Sequence, residues 1–309
     1  MVYEGENSKP TLVDLKPPFI FKNNVSNIAP HAHSNDIIYL ELLNAPYNPN
    51  QMILWNPATR EVKFLPSPPP MKPALCNFFH VAHEFGFDPK TNDYKVVSIV
   101  VGVEFFLEEY EKLNGQVYSL RSHSWKVVNV GVSARYIAKS MFNAYLHGAY
   151  HWLAESGGVE FVLCFNMSDD VFWKMNLPKV ISQEENNKFY IRHSNIVVLN
   201  ESVCYLREYM RSEFHFEILM MNEYGVEETW VKMFNLVRGP CPEILLELWK
   251  EDNDDVFVLE GEEFQPLVLY MIGEQKVVKE FPLRLGIEQR AFRNVESVVP
   301  LCGLVHEEA

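Results

Sequence analysis

One two-strand phrase recurs five times along this chain, and its recurrence limits the fold more than any other feature. The first copy is MILWNPATREVKFLP, Met52 to Pro66. An apolar run ends at Trp55, Asn56-Pro57 opens a turn, and Val62 to Leu65 returns. Asn at the first position and Pro at the second suit a type I turn, because proline already holds φ near the required value. The phrase comes back at Gln116–Val130, Phe161–Pro178, Glu217–Leu236 and Leu267–Leu283. Anchored on Leu54, Val117, Val162, Ile218 and Val268, the copies stand 63, 45, 56 and 50 residues apart. Long helical periodicity is absent, so the chain reads as β throughout.

Each interval leaves room for two further strands, and suitable runs are present. His83 to Val101 is itself a hairpin, and its turn Asp88-Pro89-Lys90-Thr91 copies Asn56-Pro57-Ala58-Thr59. Ala144–Glu155, Ile196–Tyr209 and the pair Leu245–Asp252 with Asp255–Glu262 fill the same place before later copies. Four strands in about 50 residues is the period of kelch-type blades. The spacing therefore predicts an all-β, kelch-like β-propeller built from repeated four-stranded units, with about five to six blades. A pair of β-sandwiches is the alternative, but sandwich strands have no reason to keep one turn signature at near-constant spacing. A last run, Arg293–Leu301, paired with residues near Pro18–Phe21, would close a sixth blade and remove the open edges.

Composition restricts function by exclusion. Hydrophobic residues at 48% and charged residues at 22% are globular values. The 41 Asp and Glu against 27 Lys and Arg leave a formal −14, which argues against nucleic acid as a partner and for a basic one. The N-terminus has no basic start followed by an apolar stretch, and no apolar run is long enough to cross a membrane. Cys76, Cys164, Cys204, Cys241 and Cys302 form no CxxC pair and read as reduced thiols. A cytoplasmic protein with no membrane contact is expected, and the sequons at Asn24, Asn166 and Asn200 are then chance matches.

No phosphate loop, GxGxxG or GxSxG is present, so no catalytic residues and no cofactor are expected. His147, His151 and Glu155 have helical zinc-ligand spacing, but Gly148 and the repeat place them on a hairpin, so no metal is expected either. His31 and His33 read as exposed residues of an N-terminal tail. Trp55, Trp125, Trp173 and Trp230 recur beside the hairpin turns and read as packing between sheets. Clustered carboxylates are the better functional lead. From Glu243 to Glu263 nine stand against Lys250 alone. The candidate partner-binding loops are Glu251, Asp252, Asp254, Asp255, Glu260, Glu262 and Glu263, with a second group at Glu104, Glu108, Glu109 and Glu111.

The phrases LWNPATREVKFLPSPP, FGFDPKTNDYKVVSIV, VYSLRSHSWKVV, YLHGAYHWLA, VLCFNMSDDVFWKMNLP and LELWKEDNDDVFVL, closed by NVESVVPL, come in the order and spacing of the F-box-associated region of plant F-box proteins. The chain resembles that family over roughly Ile37 to Leu301, and within it the S-locus F-box group of pollen. The resemblance implies the substrate-binding part of an SCF-type ubiquitin ligase, with the basic S-RNase of the style as target in self-incompatibility. It also implies an N-terminal F-box holding a Skp-type adaptor. Met1 to Asp36, with four prolines and no amphipathic helix, does not read as an F-box, so the adaptor is expected to bind only if an F-box is supplied elsewhere. The expected layout is a tail at 1–36, a propeller at 37–301 and a tail at 302–309. Two other readings stay open: a competitor or degenerate copy that binds a partner without the adaptor, and a propeller enzyme.

Overall fold

The computed structural model describes residues 27–35, 37–43, 51–70, 77–103, 111–138, 144–178, 190–199, 201–210, 214–238, 244–251, 254–260, 267–271 and 276–281. They form five antiparallel sheets in which strands follow one another in chain order. The first holds β1 (Asn27–Ser34), β2 (Ile37–Leu43), β3 (Gln51–Trp55) and β4 (Val62–Phe64). The second holds β5 (Asn77–Asp88), β6 (Asp93–Val103), β7 (Glu111–Ser119) and β8 (Ser124–Ser133). In the third, β9 (Tyr136–Ile137) and β10 (Tyr145–Leu146) share the edge of β11 (Ala149–Ser156), followed by β12 (Val159–Asn166) and β13 (Val171–Asn176). The fourth holds β14 (Tyr190–Leu199), β15 (Ser202–Met210), β16 (Phe214–Met221) and β17 (Trp230–Arg238). The fifth, described by its backbone, holds β18 (Ile244–Glu251), β19 (Asp254–Glu260), β20 (Leu267–Met271) and β21 (Lys276–Phe281).

The five sequence phrases are the third and fourth strands of the five sheets. The anchors Leu54, Val117, Val162, Ile218 and Val268 all fall on the third strand. First strands touch from sheet to sheet, β1 on β5, β5 on β9 and β14 on β18, while β11 also meets β14. Radial packing of this kind defines blades of a β-propeller. The closing pair foreseen between residues 18–21 and 293–301 lies outside the described residues. β1 falls within residues 1–36, the stretch set aside as a tail on sequence.

Consecutive side chains of an inner strand point to opposite faces, and here both faces are covered. On β6, Val96 packs with Tyr39, Phe85 and Tyr118 between sheets 1 and 2, while Val97 and Ile99 join Val117, Tyr150 and Trp152 between sheets 2 and 3. Two-sided burial explains why apolar residues stand side by side at Val96-Val97 and Ile99-Val100 rather than alternating with polar ones. The sheets approach closely at Gly86, where a Cβ would meet Met167 Cε at 3.0 Å and the Tyr145 ring at 3.2 Å. Sheet 1 is covered on its far face too, at Ile38, Leu40, Ile53 and Trp55.

Three turns share one construction. Asn56 Oδ1 accepts the amides of Ala58 at 2.9 Å and Thr59 at 3.2 Å, and Arg60 closes the turn at φ 61°. Asn166 does the same for Ser168 at 2.8 Å and Asp169 at 3.0 Å, with Asp170 at φ 54°. Asp88 takes the Lys90 amide at 3.0 Å and Asn92 has φ 51°. A short polar side chain thus fixes the first position, and the fifth enters the left-handed region that closes a bulged hairpin. Asn56→Ala, which strips two bonds from a fully buried side chain, should lower stability by about 1–2 kcal/mol. A urea midpoint indistinguishable from that of the parent would show that the turn is held by its neighbours instead.

Candidate recognition surface and its supporting joints

Antiparallel meanders sort connections by end. In every sheet the first–second and third–fourth turns share one end, here the turn end, and the second–third connection lies at the other. This separates carboxylates that are contiguous in sequence. Glu251 pairs with Asp254 and Lys250 with Asp255 at the β18–β19 turn, whereas Glu260 pairs with Ile244 and Leu267 at the opposite end of the same strand. Glu111 opens β7 opposite Val103, at the second–third connection of sheet 2. The acidic run therefore serves two surfaces rather than one. Glu104, Glu108, Glu109, Asp252, Glu262 and Glu263 lie outside the described residues.

The turn end is held rigid by polar joints between blades. Lys95, at the start of β6, is 5% exposed. Its ammonium donates to the Met167 carbonyl and pairs with Asp88 at 3.3 Å and Asp170 at 3.2 Å. Lys126 of β8 also pairs with Asp170, and the Ser168 hydroxyl donates to Asp88. Burial pushes the Asp88 carboxyl up, but hydrogen bonds from Ser168, Thr91 and the Lys90 amide, with the Lys95 charge, outweigh it and hold the pKa at about 2. Two turns from adjacent blades are thereby fastened to one buried cation.

Sheets 3 and 4 meet differently. His151 bonds the Ala144 carbonyl through Nδ1 at 2.8 Å and the Tyr224 hydroxyl through Nε2 at 2.9 Å. Burial lowers its pKa to about 4, helped by nearby His147 and opposed by the Ala144 carbonyl. Tyr224, from the β16–β17 turn, also meets the His147 ring edge-on at 5.2 Å. His147, His151 and Glu155 thus do not converge on one point, and among the described residues no group of three His, Cys, Asp or Glu could hold a metal ion. Farther along the same interface, Ser194 and Tyr205 each donate to Glu160 at 2.7 Å. Arg207 and Glu217, opposite each other on β15 and β16, form a buried pair that Lys232 joins.

Sheets 1 and 2 meet at His31, which is buried and sits 3.0 Å from Glu41. The sequence reading of His31 as an exposed tail residue is corrected here: β1 pairs with β2, which turns the ring inward against Tyr39 and His83. Trp173 and Trp230 pack between sheets, whereas Trp55 lies on the far face of sheet 1. Trp55 and Trp230 are buried, and Trp125 meets the Tyr118 ring at a tilt and donates Nε1–H to the Pro66 carbonyl at 2.8 Å. Cys164 and Cys204 are buried thiols, not joined in a disulfide. Among the described residues, no helix is long and apolar enough to cross a membrane.

Sequence reasoning missed the Lys95 and His151–Tyr224 joints. Their one local signal was a polar residue at the fifth turn position, Asp170, where any left-handed residue would have sufficed. Chemically, the Lys95 and His151–Tyr224 joints use their donors and acceptors on one another, and what they leave outward is a set of fixed turns.

The class defined by this geometry is a β-propeller whose blades are pinned to display loops. The sequence matches the F-box associated beta propeller domain over residues 13–301, and the chain belongs to that family. Among Arabidopsis thaliana proteins it is 24% identical to the F-box protein At3g25460 over 268 residues, covering 81% of this chain and 66% of that one. It is 25% identical to F-box protein CPR1, covering 63% and 50%, and 23% identical to F-box/kelch-repeat protein At3g23880, covering 50% and 40%. The chain spans less than two thirds of the length of each of these relatives. The β-propeller domain of the Trilobed protease from Pyrococcus furiosus aligns with a TM-score of 0.41 at 11% identity, covering 85% of this chain and 84% of that one.

Proposed function

We propose that this chain is the target-binding part of an SCF-type ubiquitin ligase of the plant cytoplasm and performs no bond chemistry itself. The observation that carries the reading is family membership across residues 13–301, in a family whose curated relatives are named F-box proteins. Its target is a basic protein, and the S-RNase of self-incompatibility suits the acidic balance of −14. The Skp-type adaptor joins through an F-box, not through the propeller.

The test is a pull-down offering the Skp adaptor and a panel of S-RNases side by side. Capture of an S-RNase supports the reading. Adaptor capture by the propeller itself, or capture of no S-RNase, overturns the assignment. Neutralising Asp252, Asp254 and Asp255 to Asn should slow association with a bound S-RNase roughly tenfold at low salt and flatten the salt dependence, because exposed charge acts mainly on encounter. An unchanged on-rate would remove this turn from the interface.

A further inference from the structure

The interface between sheets 1 and 2 contains polar atoms that its protein neighbours leave unmatched. Tyr39, fully buried on β2, and Ser98, 1% exposed on β6, have hydroxyls with no hydrogen-bond partner, and the same holds for Nδ1 of His83, 8% exposed on β5. His83 and Ser98 are directly opposite in the β5–β6 register, so they share the face turned toward sheet 1. The Tyr39 ring meets the His83 ring edge-on at 6.3 Å. The Glu41 carboxylate acts on both Tyr39 and His83 while contacting His31 at 3.0 Å. Glu84, on the other face of β5, also acts on Tyr39. The neighbouring row of the same interface, Phe85, Val96 and Tyr118, belongs to the hydrophobic core and has no buried unmatched side-chain polar atom. Within this interface the three unmatched atoms are therefore gathered at one level.

A buried hydroxyl without a partner is a rarity in native proteins, and several together mark a place for ordered water, which needs two to four polar partners. We propose that the joint between the first two blades holds an internal water site, bridging the Tyr39 hydroxyl, the Ser98 hydroxyl and His83 Nδ1. The ligand class follows from the groups present. Two hydroxyls can donate or accept, neutral imidazole can do either, and Glu41 supplies negative charge that disfavours an anion. Ser98 also continues toward Gln116, its partner on β7, which donates to the Pro69 carbonyl at 2.7 Å. The water thereby completes a polar row crossing sheet 2 from its inner strand to the linker after sheet 1.

Dry and wet joints differ in the sign of a simple measurement. In a dry joint, deleting an unmatched hydroxyl removes a burden, so Tyr39→Phe and Ser98→Ala should hold or raise stability. In a wet joint each deletion loses a bond to the water, and the folding equilibrium constant should drop roughly three- to tenfold. Urea denaturation of the full chain gives the sign, and a crystal structure fine enough to show ordered solvent gives the position. Density within hydrogen-bond reach of the Tyr39 hydroxyl and His83 Nδ1, together with destabilised variants, supports the site. Absent density, or variants at least as stable as the parent, overturns it.

Discussion

Lys95→Met is expected to destabilise the protein by about 3–5 kcal/mol, the loss seen when one partner leaves a buried ion pair. For a chain of this size that lowers Tm by on the order of 10 °C. Lys95 is the shared cation of Asp88 and Asp170, which come from turns of different blades. Without it, neither carboxylate escapes its charge easily at neutral pH. Asp88 still receives the Ser168 and Thr91 hydroxyls and the Lys90 amide, the bonds that keep it ionised. Asp170 keeps Lys126, whose side chain is 54% exposed and screened by water. Adding Asp88→Asn and Asp170→Asn to Lys95→Met should recover much of the loss, since the uncompensated charge goes with them. Calorimetry of the single and triple variants decides the matter. A loss below about 1 kcal/mol would class Lys95 with ordinary surface pairs.

The same joint shows why part of the molecule was legible in sequence and part was not. Hairpins were legible because their determinants are local: Asn56 and Asp88 bond amides two residues on, and apolar runs beside them fix strand length. The propeller class followed because the phrase repeats at blade spacing. Lys95 and Asp170 are 75 residues apart, and neither residue type at its own position announces the other. How the acidic run divides in space was illegible for a related reason. Asp254 and Glu260 bound a strand of 7 residues, which at about 3.3 Å per residue puts them roughly 20 Å apart. Sequence adjacency within a strand thus separates charges that adjacency within a loop would cluster. His31 misled in the opposite direction: in a Pro-flanked segment only pairing with β2 reveals that the ring is buried.

Acid should weaken the fold well before its carboxylates are protonated, with the loss concentrated between about pH 6.5 and 4. His83 and His151 each have a pKa lowered from 6.5 to about 4, chiefly by burial, with His31 acting on the first and His147 on the second. In that window the unfolded chain binds protons that the folded chain refuses, so stability rises with pH and falls on acidification. Two such groups give a slope of up to about 2.7 kcal/mol per pH unit near the middle of the window, and a loss on the order of 3 kcal/mol for each histidine across it. Asp88 adds its own loss only at lower pH, between its unfolded value near 3.8 and its folded value of about 2. The two histidines sit in different joints, His83 between sheets 1 and 2 and His151 between sheets 3 and 4, so their contributions should add. Urea midpoints measured at intervals from pH 7 to 4 test this. His83→Gln and His151→Gln should each reduce the slope by close to one proton, and the double variant by close to two. A parent whose stability stays level from pH 6.5 to 4.5 would mean that bulk solvent reaches both rings and that the joints open before they titrate.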